Sequence, residues 1–111
     1  MTGPQARNHE IELAAAAAMT ARHRAQTTVQ GTRAAGEGDY GGMFSKEAIL
    51  KLLDQPNAQH LRFYYGRNQR GGKELVLVAA DTDGNDIAEL AMDGHLPCPP
   101  FCPVNPSVLR G

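Results

Sequence analysis

A chain of 111 residues holds one domain of ordinary size, and 41% hydrophobic residues with only 5% aromatics and no Trp leave it a thin core. A net charge of −1 excludes whole-protein attraction to phosphate or to an anionic membrane. No apolar run nears the roughly 20 residues that span a bilayer, and two cysteines are too few for a secreted disulfide scaffold.

Residues 1–30 read as a tail and an Ala-rich helix. Residues 1–8 lead in, and Asn8 is placed to cap the first turn, with Glu10 and Glu12 at its positive end. Ala14 to Ala18 have the best helix propensity of any residue. Arg22, His23 and Arg24 suit the negative end, Thr27, Thr28 and Val29 weaken the helix, and Gly31 ends it. Ile11, Ala14, Ala15, Ala18 and Ala25 share a small face that admits close approach of another surface. The acidic residues ahead of the alanines make a poor secretory leader, so a soluble, cytoplasmic protein is expected.

Residues 31–43 form a flexible linker containing Gly31, Gly36, Gly38, Gly41 and Gly42. Residues 44–111 then read as a small α+β domain with a Pro- and Cys-rich tail. Ser45 is a good N-cap for a short helix, Glu47 sits in its first turn, and Phe44 and Ile49 fit a hydrophobic staple. Ala48, Ile49, Leu52 and Leu53 make its apolar stripe, and Pro56 stops it.

Leu61 to Tyr65 alternates, which puts Leu61, Phe63 and Tyr65 on one face, assigned to the core. A polar connection follows from Arg67 to Lys73. Leu75 to Ala80 is a continuous apolar run, the pattern of a central strand, and it should pair with the preceding strand as an antiparallel hairpin. Asp83-Gly84 is a strong hairpin signal. Residues 87–92 fit a third strand of a meander. They also fit a helix started by Asp86 and Glu89; the strand is preferred because the turn before it closes a hairpin.

The Phe44-Ser45-Lys46-Glu47-Ala48-Ile49 helix start, the Leu52-Leu53-Asp54-Gln55-Pro56 end and the Arg62-Phe63-Tyr64-Tyr65-Gly66 strand are joined by three more patterns. These are Leu75 to Val78 followed by Asp81, Asp83-Gly84-Asn85-Asp86, and Cys98-Pro99-Pro100-Phe101-Cys102. Together they resemble a family of small uncharacterised bacterial proteins with a C-terminal Cys-Pro-Pro-aromatic-Cys tail. The resemblance covers about residues 44–102, with a weaker match in the first helix. It implies that the tail belongs to the domain, and it implies no activity.

Four of the seven prolines and both cysteines fall within Pro97–Pro103. His95, Cys98 and Cys102 would offer zinc one nitrogen and two sulfur donors, with His60, an Asp or water as the fourth. A Cys98–Cys102 disulfide is a second reading. The third is a pair of small buried thiols anchoring a rigid tail. If the prolines are trans and extended, the two Cα atoms lie roughly 12 Å apart, whereas a disulfide needs about 4.4–6.8 Å. The thiols therefore converge only through a cis proline or a sharp turn.

Two weaker patterns remain. Asp81 to Asp86 supplies oxygen ligands in a calcium-loop spacing, but residue 92 is Met where the loop needs a bidentate Glu, so a hairpin turn is preferred. Arg62, Arg67, Arg70 and Lys73 beside Phe63, Tyr64 and Tyr65 could stack single-stranded RNA. Against that stand the net charge and the assignment of Phe63 and Tyr65 to the core. No phosphate loop, nucleophile elbow, dinucleotide fingerprint or zinc-protease helix is present. The expected role is a non-enzymatic interaction or self-assembly module, partnered by itself or another protein and without a cofactor. Candidate surfaces are Ile11, Ala14, Ala15 and Ala18 on the helix, and Arg62, Arg67 and Arg70 on the hairpin.

Overall fold

A computed structural model describes residues 8–27 and 36–111 of the chain. The expected lead-in over residues 1–7, and Thr28, Val29 and Gly31 as the end of the first helix, lie outside the described residues. The elements run α1 (Leu13–Thr27), β1 (Gly41–Met43), α2 (Lys46–Leu53), β2 (His60–Arg67), β3 (Lys73–Ala80), β4 (Asp86–Met92) and β5 (Leu96–Cys98). The class is α+β, with a β-meander as expected. The chain forms two compact units. One is built on Phe44–His95, and the other joins His9–Met43 to Leu96–Gly111. The Pro- and Cys-rich tail thus groups with the first helix and the glycine-rich segment.

In the first unit, the meander is ordered β2-β3-β4, all antiparallel. The apolar run is its central strand, so the side chains at its end are covered: Leu77, Val78, Ala79 and Ala80 are buried. Residues 86–92 are a strand, because the Asp83-Gly84 turn reverses the chain. Gly84 adopts φ +86°, which glycine tolerates without cost. Asp81 seals that turn with its own carboxylate, which accepts the N–H groups of Asp83 and Asn85, both at 2.9 Å.

α2 packs on all three strands. Ser45 caps it as expected, its hydroxyl accepting the Ala48 N–H at 3.1 Å. Leu52 is the one apolar residue of its stripe that is fully buried, while Ala48 and Ile49 are half-buried. Among the described residues the buried apolar set is Leu52 with the end of β3, a thin core.

In the second unit, α1 begins at Leu13 and not at Asn8. Its first turn is anchored by the Glu12 carbonyl, which accepts the Ala16 N–H at 3.0 Å. Neither Asn8 as cap nor Glu10 and Glu12 as first-turn residues holds. The physical reason is local: residues 8–12 are all exposed, so a helix turn there would bury little apolar surface against the entropy of ordering it. Gly41–Met43, expected to be linker, forms β1 and pairs antiparallel with β5, Gly41 opposite Cys98.

Candidate functional site

The two faces of the meander are built from alternate residues of β2. Cross-strand partners share a face, so Arg62 and Tyr64 lie with Val78, Val76 and, through Ala80, Asp86. Arg62 Nη1 donates to Asp86 Oδ1 at 2.5 Å and to the Gly84 carbonyl at 2.9 Å. The Tyr64 hydroxyl donates to Asp86 Oδ2 at 2.6 Å. Side chains from β2 therefore reach over the central strand to β4, across a line where β3 carries only Val78 and Ala80. The Arg62 guanidinium, a candidate surface residue, is thus paired with Asp86 while staying partly exposed.

The electrostatics follow from these contacts. The hydrogen bonds from Tyr64, first, and from Arg62 hold the Asp86 carboxyl below its ordinary value of 3.8. The same carboxylate pushes the Tyr64 hydroxyl above 10.0 and raises Arg62 further. The sign follows for each group. Asp86 adds stability above its unfolded pKa and loses it as pH falls through the depressed folded value. Tyr64 adds stability below its unfolded pKa and loses it as pH rises through the raised folded value. An NMR titration of the Asp86 side-chain carboxyl carbon should give a midpoint below 3.8; a midpoint at or above that value would contradict the clip. A raised phenol pKa suits an anchor and not a base, because the neutral hydroxyl is the favoured form.

The other face carries Leu61, Phe63 and Tyr65 on β2 beside Ala79 and Leu77 of β3, which are buried, so the three β2 side chains line its exposed margin. Their exposures are 41%, 53% and 85%, so the assignment of this row to the core was wrong. The reason is the edge position of β2: its side chains lie at the margin of the sheet, while their partners Leu77 and Ala79 on the central strand are covered. Phe63 and Tyr65 meet edge-on, ring centroids 5.6 Å apart. Arg67 Nη1 folds back onto the Gly71 carbonyl at 3.0 Å. Arg70 is exposed, and its N–H donates to Asn68 Oδ1 at 2.9 Å within the hairpin turn.

The structure does not support the zinc reading. Cys98 and Cys102 form a disulfide, Cα atoms 4.6 Å apart, so neither sulfur is a zinc ligand and neither is a free buried thiol. The Cys98–Pro99 and Pro99–Pro100 bonds are cis, and the Phe101 N–H donates to the Pro97 carbonyl at 2.7 Å. The extended-proline geometry that kept the thiols apart does not apply. Among the described residues no group of three His, Cys, Asp or Glu is placed to hold a metal ion. His95 is used elsewhere. Its Nδ1 lies 3.2 Å from Glu74 Oε1, without hydrogen-bond alignment, and its ring sits 6.2 Å from that of Phe44.

Of the helix candidates, three lie on α1 at helical spacing. Ile11 precedes α1, and Ala14, Ala15 and Ala18 are exposed on it. α1 is tied at its other end, where His23 Nε2 lies 2.6 Å from the Asp39 carbonyl and Arg24 donates to the Leu109 carbonyl at 2.8 Å. No helix among the described residues is long and apolar enough to cross a membrane. Comparison with family models, with curated proteins and with solved structures finds no match.

Proposed function

We propose that the chain is a non-enzymatic association module that binds a protein surface, a copy of itself first, through the exposed side-chain row and edge of β2. The observation that carries this reading is the row Leu61, Phe63 and Tyr65 exposed on one regular edge strand. Aromatics on an exposed surface are the side chains that dominate binding energy where they become buried. A charge-committed opposite face and a thin core fit a fold that gains stability by covering this row.

The exposed Phe63 and Tyr65 also remove one objection to single-stranded RNA. Arg62, however, is paired with Asp86, which leaves Arg67 and Arg70 as the row's phosphate contacts in a chain of net charge −1. Protein association is therefore the better-supported reading. Sedimentation velocity across a series from low-micromolar to near-millimolar protein tests it. A sedimentation coefficient that rises with concentration is expected; a fixed monomer at every concentration would reject the self-association.

A further inference from the structure

The open edge of β2 has a definite hydrogen-bond parity. Asn68 N–H donates to the Gly72 carbonyl at 2.9 Å, continuing the β2–β3 register by one step. Asp81 N–H donates to the Asn85 carbonyl at 2.9 Å, continuing the β3–β4 register. Antiparallel pairs alternate between bonded and non-bonded positions. The even residues of β2 thus turn their backbone groups to β3. The odd residues, Leu61, Phe63, Tyr65 and Arg67, turn theirs outward. The residues with open backbone groups are the same ones whose side chains form the exposed row.

The other strand edges are blunted by devices that discourage pairing. β4 is broken by a register shift opposite Leu77 and Ala79, and β1 and β5 are three residues each. β2 pairs with β3 without a break, and its charged Arg62 is drawn over the sheet to Asp86. It is the unprotected edge among the described strands.

Resting on the self-association proposed above, we infer that the occupant of this edge is β2 of a second copy, paired antiparallel about a two-fold axis at Phe63. A two-fold axis normal to the sheet keeps faces together, so only same-parity residues can oppose each other. Outward backbone groups further require odd against odd. Two central registers meet these conditions with little loss of strand. With Tyr64 on the axis, Leu61 opposes Arg67 of the other copy. With Phe63 on the axis, Leu61 opposes Tyr65 and Phe63 opposes Phe63, so each pair in the row is apolar or aromatic. On the reverse face Arg62 then opposes Tyr64 and not another arginine. Each outward pair exchanges two backbone hydrogen bonds, and two three-stranded sheets become one of six strands. One strand pair is small beside the roughly 1,600 Å² of a standard interface, so the dimer is weak.

Phe63→Lys places two ammonium groups together on the axis, and Tyr65→Lys removes an aromatic from each end. Each should weaken the dimer about tenfold or more, since the first opposes like charges at the axis and the second loses the Leu61–Tyr65 pair, which occurs twice in the symmetric contact. Phe101→Lys alters an exposed aromatic of the tail and should leave the dimer constant unchanged. Tyr65 is 85% exposed, so Tyr65→Lys leaves the fold intact even where Phe63→Lys perturbs it. Sedimentation equilibrium of the four proteins decides. A wild-type dimer that persists unchanged in Tyr65→Lys overturns the β2 pairing and leaves self-association standing. A monomeric wild type overturns both.

Discussion

Leu52→Ala is expected to lower the unfolding free energy of the α+β unit by about 2–5 kcal/mol, the range of buried Leu truncations. Leu52 is 0% exposed and is the side chain by which α2 is pinned to the sheet. Among the described residues the other buried apolar ones are the four at the end of β3, two of them alanines, so little neighbouring volume is free to move into the cavity. Against a typical total of about 5–15 kcal/mol, such a loss brings a thin-cored domain near its limit. Leu53→Ala, at a position 37% exposed on the same helix, should cost less than about 1 kcal/mol. Urea unfolding of both variants checks this. Equal small losses would mean that α2 is not pinned by Leu52.

Removing the Cys98–Cys102 bridge is expected to destabilise the second unit by about 2 kcal/mol, from the chain entropy of a five-residue loop. The bridge closes the turn on which the glycine-rich segment hangs. The Pro99 carbonyl accepts the Gly38 N–H at 2.8 Å, and the Cys98 carbonyl accepts the Tyr40 N–H at 2.9 Å. Cys98→Ser/Cys102→Ser, or the wild type under reductant, should therefore exchange the Gly38 and Tyr40 amides faster. The amides of β3 should not change. Unaltered exchange at Gly38 and Tyr40 would show that the β1–β5 pairing stands without the bridge.

Period, punctuation and capping made most of the meander unit legible in the sequence. Ser45 and Pro56 bracket α2, Asp83-Gly84 closes the second hairpin, and the apolar run is the central strand. Two features were not legible, for different reasons. Alternation groups Leu61, Phe63 and Tyr65 but does not say that they lie at the sheet margin, or that Arg62 and Tyr64 share Asp86 on the opposite face. The second of these is a contact across β3 between residues 22 and 24 positions apart. The available signal was Asp86 at the first residue of β4, opposite the small Ala80. In the tail, spacing alone leaves the two thiols either far apart or bridged, because proline admits both isomers at low cost. α1 started late because propensity favours the alanines, while a cap at Asn8 would have had to order an exposed stretch.

Amide hydrogen exchange along β2, read at low and high protein concentration, tests the central claim most directly. The Arg62 and Tyr64 amides face β3 and should be protected at every concentration. The Leu61, Phe63 and Tyr65 amides face outward and should exchange quickly when dilute. Their slowing together as concentration rises, with Arg62 and Tyr64 unchanged, is the predicted result. Fast exchange at Leu61, Phe63 and Tyr65 in a solution shown to contain dimer would contradict it.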